Sequence, residues 1–354
     1  MRTVLHLLPH PGGGAETYID VLEGLDGYCH ERVPFSTTRS RRRGVASLIA
    51  RWPGIARRAR AADIVHAHGD SAAILAAPLL RGRPSAITPQ GLHRLRRVGG
   101  AGAWSVRRSL RAAVGAASRT ACSARAERDD LAAILPPRLH GRLVVVLNGV
   151  PLAPPVDPAR RGRAREALGL AEGDAAALCV GRLELRKDPL TAIDAAEMAR
   201  ARGAPVVLLL AGTGPLEPQV SARTGEAVRP LGHREDIEEL YAAADLLVLP
   251  SRREGMSFAL LEGMSHGLAP VVSDGPGNAE AVGEAGEVFP AGDAAALCDR
   301  LARLASDSAA RERLGAAARE RIRDELSAER FLARMRKLYE AVVRERSQAS
   351  AQGA

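Results

Sequence analysis

PSRREGMSFALLEGMSHGLAPVVSDGPGNAE, residues 250–280, places a strand end, a polar turn, a helix and a second strand in immediate succession. The apolar run before Pro250 reads as a buried strand, Glu254 and Gly255 fall in the turn, and a helix is expected to open near Ser257. In an open parallel sheet, ligands bind beyond the carboxyl ends of the strands. Free amides and the helix dipole there favour anions. Ser257 is placed to cap the helix, and Gly255 lets the backbone approach a ligand closely. Glu262 lies in the second turn, its side chain leaning back towards the helix start. Two carboxylates so disposed can each accept hydrogen bonds from vicinal hydroxyls, because an ionised carboxylate is acceptor-only. Facing outward, the same pair would be a solvated turn residue and a helix-surface charge.

A second cluster, VGRLELRKDP (180–189), repeats the design: strand, glycine turn, then Arg182 and Lys187 ahead of the next helix. Two cations beyond a strand end suit a diphosphate, the arginine as a fork and the lysine as a point charge. Only two of the 50 basic residues, Lys187 and Lys337, are lysine, which gives Lys187 added weight. Near the start, PHPGGGAET (9–17) sets Gly13 and Gly14 between a strand and a helix, where a phosphate or sugar can meet backbone amides. Neither this loop nor GTGPLE (212–217) is G-x-G-x-x-G, so a dinucleotide fingerprint is weak.

Short apolar runs alternate with amphipathic stretches throughout. Strands are expected at 3–8, 62–68, 85–89, 119–123, 143–148, 175–180, 206–212, 246–251, 269–273 and 287–289. Helices are expected at 15–25, 44–60, 71–80, 104–115, 124–134, 187–202, 235–243 and 257–267, and helix predominates after 293. The fold class is therefore α/β, with doubly wound parallel sheets. Four prolines in PLAPPVDP (151–158) mark a linker between a first domain at 1–150 and a second at 159–326. The amphipathic stretch 327–346 is expected to pack back towards the first domain, and 347–354 to be a disordered tail.

With 354 residues, 46% hydrophobic and 26% charged, the chain can bury two cores and is not wholesale disordered. Four scattered cysteines without C-x-x-C read as reduced thiols in a cytoplasm. No apolar run has the length of a membrane span, and no signal-peptide pattern is apparent at the start. Residues 1–150 hold 23 arginines against 10 acidic residues, net +13, whereas the rest of the chain is net −4. Aromatics at 3% are too sparse for a nucleic-acid stacking surface.

Together these motifs resemble the retaining glycosyltransferases of the GT-B type, sequence family 4. EGMSFALLE carries that family's E-x7-E spacing, LLEGMSHGLAPVVSD is similar to its LLEAMA-G-PVV continuation, and GRLELRKDP to its GRL…KG segment, with Asp188 where glycine is usual. LAGTGPL, LGHREDIEELYAAADLLVLPS, NGV (148–150), PGGGAE and DIVHAH follow in the family's order. The resemblance implies two Rossmann-like domains facing a cleft. It places Glu262 on the ribose hydroxyls of a nucleotide-sugar donor, Glu254 on the transferred sugar, and Arg182 with Lys187 on the diphosphate. Gly255, Met256, Ser257 and Phe258 would face the diphosphate and sugar, and Gly13 and Gly14 would line the first domain's side. The loop TPQGLH offers either Gln90 or His93 near the anomeric centre. No D-x-D occurs, so neither a metal nor another cofactor is expected.

Basic stretches at 39–60 and 91–111 carry Leu48, Ile49, Trp52, Ile55 and Trp104 among arginines. Either they face an anionic membrane, or their apolar sides pack on the sheet. The expected protein is a glycosyltransferase of bacterial cell-envelope synthesis. It would be cytoplasmic or peripheral on the inner membrane face, with a hydroxyl acceptor that is lipid-linked or phosphorylated. A nucleotide-sugar epimerase would lack reason for E-x7-E, and a non-catalytic sugar-nucleotide binder would bind without turnover. A nucleic-acid binder would need more aromatics. His66 and His68 alternate on one strand face and could share a metal. No third ligand is in view, so both read as structural, and His6 and His140 read as structural or surface.

Overall fold

The computed structural model describes residues 1–36, 41–92 and 100–352. Contacts divide the chain into two units: Met1–Asn148 with Ala328–Ala354, and Gly149–Ser327.

The first unit is built on β1 (Arg2–Leu8), β2 (Tyr28–Pro34), β3 (Ile64–His68), β4 (Ser85–Thr88), β5 (Arg119–Cys122) and β6 (Leu143–Val145), all parallel in the order β2-β1-β3-β4-β5-β6. Strand alternation splits the sheet's two faces. Leu5, Leu7, Val65 and Ala67 pack with Ile55, Ala72 and Ala76 from helices on one side. On the other, the helix Ala328–Gln352 buries Phe331, Met335, Leu338, Tyr339 and Val342, a helical stripe. Tyr18, from the helix Gly14–Leu22, meets it: its ring stands 4.9 Å from that of Phe331, and its hydroxyl donates to Met335 Sδ at 3.1 Å.

The second unit repeats the plan with β7 (Ala175–Val180), β8 (Val206–Ala211), β9 (Val228–Gly232), β10 (Leu246–Leu249), β11 (Ala269–Ser273) and β12 (Glu287–Phe289). Their order is β12-β11-β10-β7-β8-β9, again parallel throughout. The expected α/β class with two doubly wound parallel sheets is what the chain forms.

Several expectations need correction. The strands Tyr28–Pro34 and Val228–Gly232 were not anticipated. Both are edge strands whose mixed burial leaves no apolar run to read, and β9 contains Pro230. Residues 151–157 have no regular structure but belong to the second unit, where Arg319 Nη2 donates to Ala153 O at 2.6 Å. Pro158 then opens a helix that Asp157 caps through Arg160 N. The predicted tail at 347–354 is helical as far as Gln352, because alanine, glutamine and serine extend a helix already nucleated. The helix Arg41–Ala61 runs through Pro53 without interruption. The carbonyl that proline leaves without a donor belongs to Ile49, a residue 70% exposed.

Candidate active site

Each sheet reverses its strand order beside its first strand. In the second unit β7 is followed by β8 on one side and β10 on the other, so the crevice between the carboxyl ends of β7 and β10 is the topological switch point. The two motifs singled out from the sequence are the segments that leave those two strands.

After β7 the backbone turns at Gly181 (φ 153°) and reaches Asp188 at φ 51°, where the helix Pro189–Ala201 begins. That left-handed conformation accounts for glycine being usual at the Asp188 position. Aspartate is one of the few side chains that visit this region, and Asp188 pairs there with Arg252 Nε at 2.8 Å. Glycines 212 and 214 serve packing: a Cβ at Gly212 would lie 1.9 Å from Gly181 O, and one at Gly214 2.4 Å from Leu183 O. The GTG turn is therefore the floor beneath the 181–183 segment.

After β10 the turn carries Glu254 inward, to 8% exposure. Lys187 Nζ reaches its Oε1 at 2.6 Å and Arg186 Nη1 the same oxygen at 2.8 Å, while Arg186 Nη2 pairs with Glu184 Oε1 at 2.8 Å. The sequence-predicted Lys187 and Glu254 are thus joined directly. Arg182 is exposed and meets Glu184 only at 3.6 Å. Gly255 is crossed by the start of the helix Pro276–Val282, since a Cβ at Gly277 would fall 2.3 Å from Gly255 C. Met256 and Phe258 are buried. Ser257 occupies the N-cap of the helix Phe258–Ser265 in extended conformation without a side-chain capping bond.

Glu262 is half-buried on that helix and accepts from Tyr241 Oη at 2.9 Å. Burial raises its pKa, the Tyr241 hydrogen bond opposes the rise, and Glu238 adds to it. Tyr241 stacks on His266 at 5.0 Å between ring centroids. Arg186 and Tyr241 are the residues that the sequence reading passed over. Arg186 sits inside a quoted motif and was masked by its neighbour Lys187. Tyr241 lies 21 residues from its partner, with no local pattern to announce it.

The first unit holds a separate group. Gly12 and Gly13 both adopt positive φ before the helix that Gly14 opens, and nothing lies within 4 Å of a Cβ at Gly13. Backbone conformation alone requires the glycine. Gln90, Gly91 and Leu92 all have positive φ, a strained run held by buried Glu127, which accepts from the Gly91 and Ser123 amides. His93 lies outside the described residues. The predicted basic amphipathic faces also divide: Leu48 and Trp52 pack against the core and Ile55 is buried in it, whereas Ile49 and Trp104 turn to solvent.

Two family models match in sequence. Residues 5–153 match "Glycosyltransferase Family 4", and residues 174–307 match "Glycosyl transferases group 1". EpsD of Bacillus subtilis is 31% identical over 157 residues, 42% of this chain, which spans 41% of EpsD's length. An alpha-maltose-1-phosphate synthase of Mycobacterium tuberculosis is 29% identical over 303 residues, 77% of each chain. Among solved structures, Anabaena HepE in complex with UDP and glucose superposes with a TM-score of 0.80 at 18% identity, over 96% of this chain and 100% of that one. With one family model on each unit and the shared two-sheet fold, the chain belongs to the group 1 glycosyltransferases of the family 4, GT-B type.

Proposed function

We propose that the protein transfers a sugar from a nucleotide-sugar donor to an acceptor hydroxyl, with retention of anomeric configuration and without a metal. The observation that carries this reading is the Arg186–Lys187–Glu254 cluster at the β7/β10 switch point. Glycosyl transfer develops positive charge at the anomeric carbon and negative charge on the departing diphosphate, so catalysis consists largely of positioning and charge stabilisation. Lys187 and Arg182 supply fixed positive charge for the leaving diphosphate. Glu254, held by its two cations, presents a carboxylate to the sugar hydroxyls, and Glu262, oriented by Tyr241, receives the ribose. The backbone from Gly255 to Phe258 lines the path between them. The leaving phosphate oxygen takes the acceptor proton, which removes the need for an enzymic nucleophile. Gly13, Gly14 and Gln90, with His93, belong to the acceptor side. HepE, crystallised with UDP and glucose, supports the donor class.

The acceptor is proposed to be phosphorylated or lipid-linked, met at an anionic membrane in cell-envelope synthesis. Trp104, 65% exposed with Arg108 5.8 Å from its ring centre, favours that reading. Among the described residues no helix is long and apolar enough to cross a membrane.

Thermal shift and calorimetry against UDP-, GDP- and ADP-sugars, with and without EDTA, test the donor site. One nucleotide class is expected to stabilise the chain equally in EDTA and to lose its effect in Glu262→Ala. Failure of every donor, or binding untouched in Glu262→Ala, would refute the assignment. Salt-sensitive co-sedimentation with anionic vesicles, weakened in Trp104→Ala, tests the membrane half.

A further inference from the structure

Four histidines that the proposed transfer does not use converge inside the first unit. The sheet register sets His6 of β1 directly beside His66 of β3, and His68 follows two residues later on the same face. His30, on β2, joins from the other side. His6, His66 and His68 are fully buried. His6 Nδ1 lies 2.8 Å from His68 Nε2, and His6 Nε2 lies 2.8 Å from His30 Nδ1. His66 meets Tyr339 Oη through Nδ1 and Thr88 Oγ1 through Nε2, both at 2.8 Å. One ligand nitrogen from each of His6, His66 and His68 lies within 4.8 Å of the others.

We propose that His6, His66 and His68 bind one divalent first-row transition ion, zinc foremost, at a site separate from the donor residues. Three imidazoles without a thiolate or carboxylate select borderline ions such as zinc over calcium or magnesium. The rings are held neutral by burial, the form that ligates. His30 stands behind His6 as the outer-shell partner that fixes a ligand's tautomer, and Tyr339 or Thr88 does the same for His66 once the other bond gives way to the ion.

The proton bookkeeping closes without net release. His6 Nδ1 and His68 Nε2 now share a single proton across their 2.8 Å contact. The chain of rings ends in two buried nitrogens without partners, His30 Nε2 and His68 Nδ1. If His6 donates, its proton shifts to Nε2 and that of His30 shifts from Nδ1 to Nε2. If His68 donates, its proton shifts from Nε2 to Nδ1. Either way both facing lone pairs become available, and the displaced proton occupies a nitrogen that was empty.

Because the rings are sealed from solvent, loading must accompany folding. The full-length chain is therefore expressed with added zinc or refolded in its presence, then dialysed and assayed by elemental analysis. About one zinc per chain is expected, with X-ray absorption showing nitrogen neighbours near ~2.0 Å. Refolding with cobalt should give a ligand-field absorption band that the metal-free chain lacks. His6→Gln and His68→Gln should reduce retained metal at least about tenfold, whereas His140→Gln and His233→Gln should not. Should the first two variants fail to fold, the nitrogen count and cobalt spectrum of the unaltered chain decide. Zinc below about a tenth per chain after refolding, or metal retained in the His6→Gln/His68→Gln double variant, would overturn the proposal. Donor binding is read in parallel, and its loss or survival bears on the transfer reading alone.

Discussion

Lys187 Nζ sits 2.6 Å from Glu254 Oε1, and Arg186 reaches the same oxygen, so one carboxylate atom joins the segments leaving β7 and β10. Removing one side leaves buried charge uncompensated. Glu254→Ala is expected to cost about 3 kcal/mol in urea unfolding. Adding Lys187→Met should restore part of that loss. Strictly additive effects in the double-mutant cycle would show that the pair is not coupled.

If Lys187 stabilises the leaving diphosphate, Lys187→Met should lower turnover roughly 100-fold or more while changing donor Kd far less. Single-turnover kinetics separate the two quantities. A variant with unchanged turnover would leave Lys187 with a structural role only.

Glu262 has its pKa raised, chiefly by burial, and Tyr241 works against that rise. Donor binding needs the carboxylate, so affinity should fall at a pH above the ordinary carboxylate range. In Tyr241→Phe the acid limb should move to still higher pH. Because the folded state holds this proton more tightly than the unfolded one, Glu262 contributes stability at low pH that is lost as pH rises through its folded pKa. Calorimetric titration of donor between about pH 4.5 and 8 would reveal the limb, and coincident profiles for the two proteins would show that Tyr241 does not tune Glu262.

His6, His66 and His68 have pKa values pushed well below the ordinary imidazole value, with burial the largest cause in each. The unfolded chain therefore binds more protons below about pH 6.5. Their stabilising contribution is complete above that pH and declines as acid is added towards their folded values. In EDTA, the urea midpoint should fall from pH 8 to about 5, and fall less steeply in His66→Gln. A midpoint insensitive to acid would contradict the buried cluster.

Gly277→Ala would place a Cβ 2.3 Å from Gly255 C, against backbone that cannot rotate away. The expected result is a shifted Glu254 turn, weakened donor binding and about 1–3 kcal/mol lost. Gly162→Ala, in an exposed helix interior with nothing within 4 Å, is the control and should stabilise by about 0.5–1 kcal/mol.

How much was legible in the sequence depended on how local the signal was. Buried central strands such as Val206–Ala211 announce themselves as apolar runs, while Tyr28–Pro34 at an edge does not. Glu254 and Lys187 were legible as chemistry because each stands in a turn beside a strand. Their contact depends on strand order, which no local pattern contains. The same holds for His6: it reads as an isolated core residue until β1 is known to lie beside β3. Trp52 shows the converse. Its basic surroundings left both a membrane-facing and a packed position open, and it stacks on Phe35 at 6.3 Å, because helix phase and not composition decides which side meets the sheet.

The return of residues 328–352 to the first unit has a consequence for biosynthesis. The second unit is continuous, so a nascent chain can finish it as soon as residue 327 clears the ribosome. The first unit, although translated earlier, must wait with Tyr18, Tyr28 and the histidine face of its sheet uncovered until the last helix is made. The order of completion is the reverse of the order of synthesis, and until that helix docks the uncovered sheet face is open to off-pathway association.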